Sequence, residues 1–388
     1  MISADLAVPA TPLRRPRTAA DRTAADRTIM SIEGTSPVMH TPIVGTLTEP
    51  AKPWYRHGTD SPYEEEFLRL VTSDAPLARR LGALTRFWHL TGSSSQLKQW
   101  DALAAIASAD LAVARMLEPH LDALTILAEA GAGEPAPEST WGVFAAEVPT
   151  SRVDAVPAPD GVLSLTGEKA WCSLAGELTN AIVTVRLGEE RQAVAVDLTH
   201  PSVRPLPVDW PARGLNEIPS GAIVFAGTPA TPIGPPGWYL QRPSFAWGGI
   251  RVAACWYGGA LGLARNAAHR HFARPGASPL GAMTLGQIDT EITTIRSALA
   301  HAARLAGGGD VDGRDDSWTQ ALRVRTIVYR AVQRIQQLSR ELAGPAALTG
   351  DAEFAKADAD LTVYISQHHG PRDEASLGEA IIADAARS

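Results

Sequence analysis

The chain is poor in cysteine: Cys172 and Cys255 are its only two among 388 residues. Two thiols cannot build the disulfide scaffold of a small secreted fold, so a reduced, cytoplasmic setting is expected. Uninterrupted apolar runs of about 18 residues are also lacking, which excludes an ordinary membrane-spanning helix. Positive charge is not in excess either. With 35 Lys and Arg against 42 Asp and Glu, the net charge of −7 argues against nucleic acid or an anionic membrane surface as the main partner. No GxGxxG follows a strand-like run and no GxxxxGK[ST] occurs, so a Rossmann or phosphate-loop nucleotide site is not expected. What is present, 45% hydrophobic and 20% charged residues, suffices to bury a core in two or three domains or one multilayer unit.

Residues 1–50 show no apolar period and carry TAADR twice in tandem, Thr18 to Arg22 and Thr23 to Arg27. They are expected to be a disordered extension. Asp5, Asp21 and Asp26 oppose a transit peptide, and Met30 is an alternative start to Met1. Over 60–138 the pattern is helical. Pro62 follows Ser61, and Glu64, Glu65 and Glu66 stand where a helix dipole favours anions. Leu103, Ile106, Val113, Leu117, Leu121 and Leu124 recur at mostly three- and four-residue steps. Gly131, Gly133, Pro135 and Pro137 end the run.

Over 139–237 the period shortens. WGVFAAE, VLSLTG, AIVTVR, QAVAVDL and AIVF are strand-like runs bounded by Pro, Asp and Gly turns, with no helix-length pattern between them. Over 238–388 long helices return. Ile288, Ile292, Ile295, Leu299, Ala302 and Leu305 form one stripe; Trp318, Leu322, Val328, Val332, Ile335, Leu338 and Leu342 form a second; Ala352 to about Gln367 is a third segment. The expected fold class is α+β: an N-terminal helical domain, a central small β-barrel or sandwich, and a C-terminal four-helix bundle.

Local motifs follow the same order. Gly167-Glu-Lys169-Ala-Trp171-Cys-Ser173 resembles the GxKxWIT segment of the acyl-CoA dehydrogenase superfamily, and Ala145-Ala-Glu147 resembles that family's TEP segment. Arg213-Gly214, Ser220 to Phe225 and Gly234 to Gly237 are similar to the stretch that closes the family's β-domain. Arg251-Val-Ala-Ala, Gly258 to Ala264, and Ala109-Asp110 with His120 fit its helices. The resemblance implies an FAD protein, with FMN also possible, forming a homodimer or homotetramer. The flavin would lie between β-domain and bundle, with a small acyl substrate, a CoA thioester, beside it. Ala145 and Ala146 would meet the pyrimidine edge, Trp171 the ring face, and the Ser173 hydroxyl the ring near N5. Fixed donors there stabilise the negative charge of a reduced flavin. Arg270 or Arg274, between which the spacing does not choose, with Arg340 and Gly344, stand where the family contacts the flavin pyrophosphate, a role in which Arg suits phosphate.

The departures concern the base. Dehydrogenases of the family remove an α-proton with a Glu, in one solution near the C-terminus, in the other directly before the Arg that matches Arg251. Here those positions hold His368 (or Gln367) and Ile250. His368 titrates near neutrality and is a candidate base or hydrogen-bond donor; as an alternative, His368-His369 caps a helix. A metal site is not expected, because adjacent histidines point to different sides of a helix. The expected function is an FAD-dependent oxidoreductase acting on an acyl thioester by α-proton removal and β-hydride transfer, with the usual Glu absent and an electron-transfer partner or reductase implied. The alternatives are a flavin-dependent monooxygenase or N-oxygenase on the same fold, and a catalytically silent binding protein.

Overall fold

The computed structural model describes residues 95–276, 278–306 and 317–386, with positions 47, 53–55, 69 and 80–85. All belong to one compact unit, Pro42–Ser388. The disorder expected for residues 1–50 falls outside the described residues, Leu47 apart, as does the helix start expected at Pro62.

The apolar stripe of the N-terminal region is carried by two helices, α1 (Gln96–Ala109) and α2 (Leu111–Glu129). Asp110 separates them. Its backbone is extended, and its carboxylate accepts from the amides of Ala112 and Val113 at 2.9 and 3.2 Å, capping α2. Leu103, Ile106, Val113, Leu117 and Leu121 are buried as the period requires. Helix α2 stops where Gly131 takes a left-handed φ of 63°.

Seven strands follow: β1 (Trp141–Phe144), β2 (Val153–Pro157), β3 (Leu163–Ser173), β4 (Asn180–Leu187), β5 (Glu190–Asp197), β6 (Val203–Pro205) and β7 (Ser220–Ile233). Strand β4 pairs with β2, β2 with β3, β3 with β7, β7 with β5, and β5 returns to β4, so five strands close on themselves. Closure removes the free edges that a small open sheet would expose. Strand β1 extends β4 in parallel and β6 lies along β7. The parallel β1–β4 and β2–β4 pairs were not legible from alternation, which is the same for either strand direction.

The C-terminal region is helical: α3 (Trp238–Gln241), α4 (Ser244–Phe272), α5 (Pro279–Ala306), α6 (Ser317–Ala343), α7 (Pro345–Gly350), α8 (Ala352–Ile365) and α9 (Pro371–Ala385). Helix α4 is the axis, packing against α1, α2, α5, α6 and α8. Its small residues permit this. A Cβ on Gly258 would lie 2.3 Å from the Ala104 carbonyl of α1, and one on Gly262 2.4 Å from that of Ser108. The stripe of α5 is buried from Ile288 to Ala302, and that of α6 from Leu322 to Leu342. Trp318, expected in the second stripe, stands largely exposed and stacks on Phe245, with ring centroids 5.4 Å apart. No helix among the described residues is long and apolar enough to cross a membrane.

Candidate cofactor and substrate site

Strand β3 ends irregularly. Its register against β7 slips between Lys169 and Cys172, and within the slip Trp171 adopts φ 60°. A left-handed backbone on a bulky residue costs on the order of 1 kcal/mol, and its indole is 56% exposed although Trp is among the most apolar side chains. Strain combined with exposed aromatic area is the signature of a surface kept for a ligand. Two residues on, the Ser173 hydroxyl lies 2.8 Å from that of Ser220 on β7 and accepts from Arg115 Nη2 of α2 at 3.1 Å. Arg115 in turn sits over the ring of Tyr364 of α8, 5.6 Å from its centroid. At the end of β1, Ala145 is half-buried and Ala146 exposed, and β1 lies against β3. The two chain segments singled out by their likeness to a flavin seat, Ala145–Ala146 and Trp171–Ser173, therefore lie together, the second where the β-barrel faces α2 and α8.

Lys169 of the same motif does something else. Its ammonium is buried and donates to the Thr184 carbonyl at 2.7 Å and hydroxyl at 2.9 Å, stitching β3 to β4. Burial pushes its pKa down to about 8. It borders a cavity of about 340 Å³ on the barrel wall together with Glu147, Arg152 and Arg186. Glu147 there pairs with Arg191 and with Arg186.

Behind Ser173 a charged cluster lies inside the helices. Glu118, one turn after Arg115 on α2, is 7% exposed and makes no hydrogen bond or ion pair among the described residues. Burial first, then the neighbouring Asp122, pushes its pKa up to about 7, against the lowering pull of Arg251, Arg115 and Arg325. Asp122 is committed elsewhere, accepting both oxygens' bonds from Arg242 Nη2 at 3.2 and 2.9 Å. Arg251 of α4 stands 3.6 Å from Asp122, yet its Nε and Nη1 hydrogens find no hydrogen-bond acceptor. The Trp256 indole N–H is likewise buried without a hydrogen-bond partner, while the Tyr364 hydroxyl meets the Cys255 thiol. Arg325 of α6 lies over the Trp256 ring at 4.8 Å and donates to the Gly249 carbonyl at 2.8 Å. Proline 119 leaves the Arg115 carbonyl without its usual helical donor. Buried donors without acceptors are rare in native interiors.

The other sequence candidates fall in two further places. Arg270 pairs with Asp351 and donates to Asn266 at 2.9 Å. Arg340 grips Asp358 with two bonds of 2.6 and 3.0 Å. Gly344, at φ 79°, joins α6 to α7 beside Arg274, which donates to the Ala343 carbonyl. These residues gather around the α6–α7–α8 corner, each guanidinium engaged within the chain. His368 lies past the end of α8, its side chain buried. The ring stacks on Tyr329 with centroids 4.2 Å apart, Nδ1 accepts from the Gly370 amide at 3.0 Å, and Nε2 lies 3.3 Å from the Thr326 hydroxyl. Burial lowers its pKa. His369 is exposed and pairs with Asp373 at 3.1 Å. Ile250 is fully buried in the core.

Arg115, Glu118 and Tyr364 were not singled out by sequence. The one signal was two carboxylates, Glu118 and Asp122, set four residues apart beside the apolar positions Leu117 and Leu121 of α2.

A barrel-like sheet set between helical regions, with this junction, is the acyl-CoA dehydrogenase fold, and the chain adopts it. Butyryl-CoA dehydrogenase of Megasphaera elsdenii superposes with a TM-score of 0.68 at 14% identity, covering 84% of this chain and all of that one. A structure of KijD3 in complex with FMN and dTDP-3-amino-2,3,6-trideoxy-4-keto-3-methyl-D-glucose superposes with a TM-score of 0.71 at 18% identity, covering 88% and 96%. In sequence, the chain is similar to the amino sugar nitrososynthase DnmZ of Streptomyces peucetius, 33% identical over 178 residues. That match spans 40% of this chain and 43% of the relative, less than half its length. No protein-family model matches.

Proposed function

We propose that the protein is a flavin-dependent N-oxygenase acting on an amine borne by a polar small molecule, an amino sugar in class. The observation that carries the flavin is Trp171: a strained, exposed indole two residues from a hydroxyl fixed by Arg115 and Ser220. Trp171 would meet the ring face, Ser173 the ring edge, and Ala145 and Ala146 the pyrimidine side. FAD or FMN, when bound, supplies the two electrons and the redox chemistry with dioxygen; a partner reductase delivers the reducing equivalents. The net change is balanced: amine, dioxygen, two electrons and two protons give hydroxylamine and water.

Two things favour oxygenation over dehydrogenation. Neither position that holds the family's base offers a carboxylate, Ile250 being core and His368 being stacked on Tyr329. The sequence similarity, moreover, is to a nitrososynthase. A second reading, acyl-thioester dehydrogenation, is favoured by the nearness of Glu118 to Arg251, because the carboxylate missing at 250 is met there from another helix.

The test is spectral and catalytic. Purified protein mixed with FMN or FAD is expected to bind it and perturb its visible band. With a flavin reductase, NADH and oxygen, it is expected to consume the dTDP-linked amino sugar and form the hydroxylamine, detected by mass. Rapid anaerobic bleaching by butyryl-CoA with no amine oxidation would establish the second reading instead. Failure to bind either flavin would overturn both.

A further inference from the structure

We propose that Glu118 is the catalytic residue that accepts a proton from the substrate's amine, in a pocket formed by α2, α4, α6 and α8 behind Ser173. This rests on the N-oxygenase reading and names the group that makes its substrate reactive.

Geometry comes first. Glu118 is more than nine-tenths buried and, alone of the three α2 carboxylates, accepts no side-chain hydrogen bond: Asp122 is held by Arg242 and Glu129 by Ser244. The groups that act on it electrostatically are Arg115 and Asp122 from α2, Arg251 and Cys255 from α4, Arg325 from α6, Tyr364 from α8 and Tyr239 from α3. With Asp122 neutralised by Arg242, three guanidiniums against one carboxylate leave the cluster positive. Of these groups, Arg251 is more than nine-tenths buried and holds donors without acceptors at Nε and Nη1. A ligand bringing hydroxyl or carbonyl oxygens satisfies those donors.

Charge then selects the protonation state. A substrate ammonium brought beside Arg115, Arg251 and Arg325 is destabilised, so it sheds a proton as it binds. The proton must go somewhere, and the carboxylate of Glu118 is the unengaged acceptor. The N–H bond breaks, an O–H bond forms on Glu118, and the freed pair stays on nitrogen, which is the nucleophilic form that oxygenation needs. An acceptor that titrates near neutrality is matched to this task. The exchange removes one positive and one negative charge from a dry pocket, which also lowers the cost of burying the substrate.

The test compares wild type, Glu118→Gln and Glu118→Asp, using the dTDP-linked amino sugar as probe. In wild type, kcat/KM should fall on the acid side of about pH 7, where Glu118 is protonated. In Glu118→Gln that limb should shift to higher pH, with about 100-fold lost in rate at pH 7. It should regain part of this at pH 9, where the amine sheds its proton unaided, and flavin affinity should be unchanged. Glu118→Asp should keep the limb. A Gln variant with the wild-type rate and profile overturns the proposal. If wild type does not oxidise the probe, the N-oxygenase reading fails by itself, and infrared titration of the flavin-loaded protein decides on Glu118. A protonated-carboxyl band with a midpoint near pH 7, abolished in Glu118→Gln, upholds it as the pocket's proton acceptor; absence of that band overturns it.

Discussion

Trp171 separates two roles that sequence leaves open for an aromatic residue: a plug between layers, or a face for a ligand. A buried Trp truncated to a small residue costs about 3–5 kcal/mol. Here the side chain is more than half exposed and its φ suits glycine, so Trp171→Gly is expected to leave the flavin-free Tm unchanged or slightly raised. Affinity for FMN should fall by about 10-fold or more, measured by quenching of flavin fluorescence. A large drop in Tm with unchanged affinity would make Trp171 a packing residue. Ser173 shows the complementary limit of sequence. A hydroxyl before a turn reads as a local cap, but its partners are Ser220 and Arg115, 47 and 58 residues away.

At the scale of elements, the barrel is docked to α8 by backbone as much as by side chains. Gly214, in the loop between β6 and β7, lies so close to α8 that a Cβ would fall 2.0 Å from the Ala359 carbonyl. Next to it the Leu215 amide, at φ 51°, donates to Asp360 at 2.6 Å, and Lys356 donates to the other oxygen of that carboxylate at 2.6 Å. Asp360→Ala leaves a buried amide without an acceptor and is expected to cost about 2–3 kcal/mol of stability in urea unfolding. Because this contact sets the distance between the barrel and α8, which carries Tyr364, the variant should also weaken flavin binding. Unaltered stability would show that the loop is held by apolar contact alone. Arg213-Gly214 and Asp360 lie about 145 residues apart in the sequence, and only the docking of loop on helix brings them together.

For the whole molecule, the buried charge cluster carries a cost that pH reveals. Glu118 has a pKa of about 7 in the fold against 4.5 unfolded. Between those values the folded state holds the proton more tightly, so stability declines as pH rises from about 4.5 to 7 and is level above. Glu118→Gln, which stays neutral, is therefore expected to be more stable than wild type at pH 8, by up to about 3 kcal/mol, and not at pH 4. Thermal unfolding at the two pH values checks this. A variant less stable at pH 8 would mean that the ionised carboxylate is paid back by its arginine neighbours.

What the sequence determined by itself was periodicity and order. Apolar spacing of 3.6 and of 2 fixes which segments are helices and strands, and the glycines and prolines at 131–137 fix a boundary, because these are local properties of the chain. The motif around Trp171 was legible for the same reason, being contiguous. The tertiary structure decided everything that depends on residues distant along the chain. It brought Arg115 to Ser173, left Glu118 without a partner while Arg242 took Asp122, stacked His368 on Tyr329, and spent Arg270 and Arg340 on Asp351 and Asp358. Whether a charged side chain is a site or a strut depends on what it meets across the fold, and a linear pattern carries no record of that meeting.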